Sequence, residues 1–340
     1  MKYLLTQLIH LLIMKRINFM SLLLLTILTS TIVACAESYP EHEWEWDKTP
    51  EETNPGIVEL GWTAQYQFGK LPTYISIYKS PEQLESKKAV AYIAVADMSK
   101  ASFSVLGEKT GSKTPSQFYE QSQHSVILNG GFFWDGSSLS MICRDGQVIC
   151  PNNQSDSEDW VTIYYPTRAV FGLMTDGSYK TTWTYTTTTN ITYSYPQPAE
   201  NKYGETPKEV PSATFPAGGN VLKAKNAIGG GPMLIKDGAI KDTYVAELLK
   251  ISADSNQPRS AIGITKDNKL ILFVCEGREM TPGVVGYTTA EVAKILKSLG
   301  CVDAMNLDGG GSSCMLINGK ETIKGTDGKQ RTVVTAVGLR

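Results

Sequence analysis

The chain has 340 residues, is 41% hydrophobic, and balances 32 basic against 34 acidic side chains for a formal net charge of −2. That length allows one large packed domain or two small ones. The near-neutral balance, with no long basic run, excludes electrostatic binding of nucleic acid as its main work and leaves small molecules and polysaccharides open.

Lys15 and Arg16 precede an apolar stretch from Met20 to Val33 that is too short for a comfortable membrane span. Met14 offers a better start for this basic region than Met1. The stretch closes on Ile32-Val33-Ala34-Cys35, which resembles a bacterial lipobox whose cysteine is lipidated and becomes the mature N-terminus. An ordinary signal peptide with an incidental cysteine is the alternative. Residues 1–34 are thus expected to be a lipoprotein signal peptide and Cys35 the lipidation site. The mature chain is then exported and lipid-anchored in the bacterial cell envelope, on its periplasmic or cell-surface side. Export permits disulfides, yet Cys143, Cys150, Cys275, Cys301 and Cys314 are odd in number. Cys143 and Cys150 stand diagonally across a hairpin, near the geometric limit for a bridge, and the other three read as small buried hydrophobes. Residues 35–56, acidic and interrupted by Trp44 and Trp46, read as a solvated tether before a domain spanning 57–340.

Within that domain Tyr74 to Tyr78 and Val90 to Val95 read as strands, rich in β-branched and aromatic residues. Thr114 as N-cap and Pro115 at the first position predict a short helix reaching Gln123. The strand Val126-Ile127-Leu128 then breaks into Asn129-Gly130-Gly131-Phe132-Phe133-Trp134. Glycines there allow close backbone approach to a ligand, Asn129 offers donor and acceptor together, and aromatic faces suit sugar C–H faces. A β-bulge with its aromatics turned inward fits the same residues.

Asp145-Gly146, Asp176-Gly177, Asp237-Gly238 and Asn318-Gly319, each flanked by apolar or β-branched residues, predict hairpin turns and extensive antiparallel sheet. The threonine-rich run from Lys180 to Tyr195 alternates Trp183, Tyr185, Ile191, Tyr193 and Tyr195 at period two, as a strand pair or edge strand does, and a proline-rich loop follows through Pro216. Ile228-Gly229-Gly230-Gly231-Pro232 repeats the theme of an apolar residue followed by glycines. Arg259 stands just before one apolar strand, and Leu270 to Cys275 is a continuous apolar strand ending in Glu276-Gly277-Arg278. Thr288 with Glu291 forms a capping box for a helix stopped by Gly300, which makes Glu291 a cap rather than an acid catalyst. The last strand delivers Asn306-Leu307-Asp308-Gly309-Gly310-Gly311-Ser312-Ser313. Three glycines allow φ > 0 and can turn N–H groups inward as an anion nest with Asp308 at its rim. A tight turn with Asp308 bonded to its own backbone is the other reading. The whole predicts an α+β fold, a mixed and largely antiparallel sheet core with a few packed helices, in a single domain.

The Asn-Gly-Gly-Phe-Phe stretch, the glycine-proline stretch at 229–232, Arg259-Ser260-Ala261-Ile262-Gly263, Gly277-Arg278 and Asn306 to Ser313 together resemble the phosphodiester glycosidase family. The resemblance runs from about Val90 to Arg340, each motif being weak and their order specific. It implies a hydrolase that cleaves the glycosidic bond of a sugar-1-phosphodiester, releasing an N-acetylglucosamine-like sugar and a phosphomonoester, with a carbohydrate phosphodiester as partner. The expected N-terminal lipid anchor adds the membrane as a partner, the charge balance speaks against nucleic acid, and no cofactor is expected. By matching positions, the family's site motifs fall on Asn129, Gly130, Arg259, Arg278, Asp308, Gly309, Gly310 and Ser312. Catalysis is assigned to Asp308, Arg259 and Asn129, and substrate binding to Gly130, Gly131, Phe132, Arg278, Gly309, Gly310, Gly311, Ser312 and Ser313. The segments around Trp160 and from Thr181 to Pro216 look inserted and leave the substrate open. In such a site the arginines and the glycine nest hold phosphate charge, Asp308 acts as base or covalent nucleophile, and Asn129 and Ser312 orient oxygens.

Rival readings are a serine hydrolase on Ser312 or Ser313 and a non-catalytic cell-surface glycan-binding lipoprotein using Phe132, Phe133 and Trp134. His124 is the single histidine in the domain, which counts against a catalytic triad and against a histidine-based zinc site. The glycine turn lacks the Gly-Lys-Ser/Thr ending of a nucleotide loop, and no metal ligand is assigned. A hard cation on Asp308 and backbone carbonyls stays open.

Overall fold

A computed structural model describes residues 49–340. The expected signal peptide, the lipidation site Cys35 and most of the tether lie outside the described residues. The tether's end does not run free to residue 56. The compact unit begins at Thr49, which caps a short helix, Pro50–Thr53, ahead of a second, Pro55–Glu59. Tyr78 anchors both, donating its hydroxyl to Pro50 O at 2.6 Å and accepting from Asn54 Nδ2 at 2.9 Å. A low-hydrophobicity stretch hides such a foothold because its partners are distant in sequence.

Strands dominate the fold, more than α+β suggests. The longest described helix is Thr289–Ser298, with 10 residues, and no described helix is long and apolar enough to cross a membrane. An eight-stranded sheet runs in the order Thr63–Ala64, Ile75–Lys79, Ala91–Asp97, Lys269–Cys275, Arg259–Thr265, Cys301–Asn306, Met233–Lys236, Ala239–Ile240, with every pairing antiparallel. A seven-stranded sheet is centred on Ala224–Gly229, Arg168–Met174 and Tyr179–Thr186, and a five-stranded one on Val126–Asn129 and Thr335–Leu339.

The run Leu270 to Cys275 is apolar throughout because both faces of its strand are covered. Leu270, Leu272 and Val274 join the core shared with the two smaller sheets, while Ile271, Phe273 and Cys275 join the core under the helix Thr289–Ser298. That helix starts at its capping box on Thr288 and Glu291, and Glu291 is further held by Lys87 at 2.6 Å. The four predicted hairpins all form. Asp145-Gly146, Asp237-Gly238 and Asn318-Gly319 have φ > 0 at both residues, the mirror-image turn that matches strand twist. The threonine-rich run is a strand pair in which Trp183 faces Tyr195 and Tyr185 faces Tyr193. All five described cysteines are free and buried, and burial pushes the Cys143 thiol up to about 11 and those of Cys275 and Cys314 up to about 12.

Candidate active site

Register brings the predicted motifs together. Arg259 pairs with Cys275 and Ala261 with Asn306, so the start of one strand and the ends of two others share one edge of the large sheet. The five-stranded sheet meets that edge through Asn129, whose Oδ1 accepts from Ser260 Oγ at 2.6 Å and from the Cys314 N–H at 3.2 Å. The seven-stranded sheet meets it through the glycines at 229–231. Gly230 N–H donates to Ala169 O at 3.1 Å, Gly231 N–H to Asn306 O at 2.8 Å, and Asn306 Nδ2 returns a bond to Gly231 O at 2.9 Å. The glycine stretches are therefore where three sheets approach too closely for side chains.

Asp308 stands at this junction. Its N–H donates to Gly130 O at 3.0 Å, and its carbonyl accepts from Asn129 Nδ2 at 2.7 Å. Its carboxylate accepts the Gly309 N–H at 3.0 Å. Burial raises its pKa from 3.8 to about 6, against the lowering effects of the Ser312 hydroxyl, the Gly309 N–H and the Arg331 guanidinium. Ser312 Oγ nonetheless makes no hydrogen bond of normal geometry. Ser313 Oγ and Asn306 Oδ1 are likewise buried without a partner, so three polar atoms close to Asp308 in the chain are left with unused capacity. Asp308 opens onto a cleft of about 270 Å³ that Phe132, Lys250, Gln257, Arg278 and Asn306 also line, and it is the only carboxylate among the described lining residues.

The glycines of the turn act differently from a three-donor nest. Gly309 N–H is spent on Asp308 and Gly310 N–H on Pro258 O at 2.8 Å, and only Gly310 has φ > 0, at +58°. What they provide is room for cations. A Cβ on Gly310 would stand 3.0 Å from Arg278 Nη2, and one on Gly311 would collide with the Arg331 guanidinium. Arg278, exposed and steadied by Gln257 Oε1 at 2.8 Å, thus lies over the turn. Arg331, which the sequence did not single out, covers the next glycine and pairs with Asp327 at 3.6 Å. Lys250, also missed, lines the cleft. Neither stands in a motif. A basic residue in a polar loop carries no signal until the fold closes the loop over Asp308.

Arg259 is not free to fork onto a phosphate. It is 2% exposed, and its guanidinium donates to Tyr287 O at 2.9 Å, Ile251 O at 3.3 Å, Ser252 O at 2.8 Å and Ser255 O at 3.0 Å. Four N–H groups are thereby committed to carbonyls, and its work is to hold the loop 251–255 that walls the cleft. Asn129, fully buried, likewise spends its amide on protein and positions Asp308 rather than touching a ligand. Gly130 and Gly131 are packing glycines, where a Cβ would strike Thr335 in one case and Ser140 in the other. Phe132 does line the cleft, whereas Trp134 projects outward, 75% exposed.

The serine-histidine reading fails on placement. His124 precedes the strand Val126–Asn129, at the end away from Asn129, and its Nε2 is 3.0 Å from Ser104 Oγ, with burial lowering its pKa.

A family model described as phosphodiester glycosidase matches residues 122–340, starting later than the Val90 the motifs suggested. YomE, an uncharacterised SPbeta prophage-derived protein of Bacillus subtilis, is 32% identical over 111 residues, which make up 33% of this chain and 17% of that protein. The catalytic domain of zebrafish N-acetylglucosamine-1-phosphodiester alpha-N-acetylglucosaminidase, auto-inhibited by its pro-peptide, has a similar structure, with TM-score 0.54, 22% identity, and coverage of 82% of this chain and 87% of that one. A hypothetical protein from Synechocystis has TM-score 0.55 and 17% identity over 82% of this chain and 63% of that one. At such identities the structural likeness is one of fold.

Proposed function

The chain belongs to the phosphodiester glycosidase family, and from that premise we propose that it hydrolyses the glycosidic bond of a sugar-1-phosphodiester, releasing an N-acetylglucosamine-like sugar and a phosphomonoester. The observation that carries this reading is a cleft with one carboxylate and several cations. An ordinary glycosidase needs two carboxylic groups, one of them to protonate a basic leaving oxygen. A phosphate monoester is a weak base and leaves once its charge is held, which suits Arg278 at the cleft and Arg331 over the turn, beside Lys250, whose Nζ also pairs with Asp156 at 3.4 Å.

In this proposal Asp308 acts at the sugar carbon in its ionised form, which predominates above about pH 6. As a base it takes a proton from water while the water oxygen bonds to the anomeric carbon and the carbon–oxygen bond to phosphate breaks. As a nucleophile its carboxylate bonds to that carbon as the carbon–oxygen bond to phosphate breaks, and water then bonds to the carbon, gives up a proton to solvent and displaces Asp308, releasing the sugar. Both routes pass through an oxocarbenium-like state. Asn129 and Arg259 hold the Asp308 backbone and the cleft wall in position.

The test is incubation of the protein with a panel of sugar-1-phosphodiesters, with products identified by mass. Free sugar plus phosphomonoester is expected from the wild type and not from Asp308→Asn. Free sugar-1-phosphate, the product of cleavage on the other side of the phosphorus, would overturn the assignment. We also propose lipid anchoring through Cys35 in the cell envelope, from the Ile32-Val33-Ala34-Cys35 pattern. Labelled palmitate should enter the wild type and not Cys35→Ser; equal labelling would remove the anchor.

A further inference from the structure

Two tryptophans are exposed where burial is the rule for indole. Trp160 is 93% exposed and Trp134 is 75% exposed. Trp160 is held in that position. It has φ +62°, a left-handed conformation costly for a bulky residue, inside a turn closed by the Asp159 carboxylate. Asp159 Oδ1 accepts the Val161 N–H at 2.9 Å and the Thr162 N–H at 2.7 Å, and Oδ2 accepts Thr162 Oγ1 at 2.8 Å.

The turn is tied to the cleft. Lys250, a lining residue, donates from Nζ to Ser157 O at 3.1 Å and lies 4.6 Å above the Tyr203 ring. Trp160 is three residues from Ser157, within about 10 Å of it at full chain extension. Trp134 is two residues from Phe132, which places it within about 7 Å of another lining residue. The two loops emerge side by side, since Asn153 N–H donates to Leu139 O at 2.9 Å. Glu158 and Asp159 immediately precede Trp160, so this rim repels a polyanion while its indole offers an apolar face.

We propose that Trp160 and Trp134 form a rim for a neutral oligosaccharide chain continuing out of the cleft, so that the diester cleaved is one carried on a larger glycan. The rings would stack on sugar C–H faces, and the acidic turn would select against a chain of further phosphates. The proposal rests on the proposed reaction for which chain is presented, but glycan binding can be read without turnover, so the two can fail separately.

The experiment is affinity electrophoresis of the protein in gels containing glycol chitin, mannan or dextran, with dextran sulfate as the anionic comparison. At least one neutral polymer should retard the wild type and Asp308→Asn alike. Trp160→Ala and Trp134→Ala should each weaken that retardation roughly five- to tenfold. In parallel, turnover of the methyl diester of N-acetylglucosamine 1-phosphate should be the same in both tryptophan variants as in the wild type. Absence of retardation by every neutral polymer, equal retardation of wild type and variants, or stronger retardation by dextran sulfate would each overturn the rim. A wild type that binds glycan through Trp160 yet cleaves no diester would keep the rim and sink the reaction.

Discussion

Asp308→Asn should abolish turnover and stabilise the protein at the same time. The carboxyl shifts from 3.8 to about 6 on folding, chiefly through burial. That gap corresponds to about 3 kcal/mol of preference for the neutral form in the folded chain. Below about pH 3.8 the group is neutral in both states and costs nothing. Between about 3.8 and 6 the unfolded chain loses its proton while the folded chain keeps it, so stability falls as pH rises; above about 6 the full cost is present. Asparagine stays neutral throughout. Its loss of the Gly309 N–H bond to a charged acceptor is a separate, opposing term that applies wherever the carboxylate is ionised. The stability of Asp308→Asn relative to wild type should therefore rise between pH 4 and pH 8, by up to about 3 kcal/mol before the lost bond is subtracted. Urea unfolding of both proteins at the two pH values measures it, alongside turnover of a sugar-1-phosphodiester. A relative stability that stays flat or falls with pH would refute the reasoning about burial. Wild-type turnover in the variant would refute the role of Asp308.

Arg331→Ala removes a group that lowers the Asp308 pKa, so the acid limb of the pH–rate profile should move upward from about 6; an unmoved limb would place Arg331 outside the site. Arg259→Ala and Arg259→Lys should both destabilise the fold by several kcal/mol, on the order of the cost of opening a buried charged network, because a lysine cannot reach four carbonyls in a fork. Full stability of the lysine variant in urea would contradict that. Gly310→Ala should cost about 1–2 kcal/mol for its left-handed backbone and lower turnover by displacing Arg278, measured as unfolding midpoint and as inhibition by a phosphate-bearing analogue. Arg278→Ala should weaken that inhibition about tenfold without altering stability, because its side chain is exposed.

Much of the architecture was legible in the sequence because its signals are local. Asp-Gly and Asn-Gly pairs favour mirror-image turns wherever they sit between strands, and Thr288 with Glu291 caps a helix with atoms from one turn of chain. An uninterrupted apolar run from Leu270 requires cover on both sides. The motifs that would meet could also be named, since a strand breaking into glycines marks a close approach. What is being approached could not be read. The glycines at 310 and 311 make room for Arg278 and Arg331, those at 130 and 131 for Thr335 and Ser140, and these partners come from remote parts of the chain.

The division of labour among the polar residues was decided in the tertiary structure alone. Sequence named Asp308, Arg259, Arg278 and Asn129 as members of one expected site, and strand register together with the approach of the five-stranded sheet brings their segments to one place. It could not say which donors would be free. Arg259 and Asn129 meet backbone carbonyls once buried and become supports, while Arg278 stays exposed and Lys250 and Arg331 arrive on loops. Burial is a property of what packs on a residue from elsewhere, and it is burial that turns Asp308 from an ordinary turn aspartate into a carboxyl poised near pH 6.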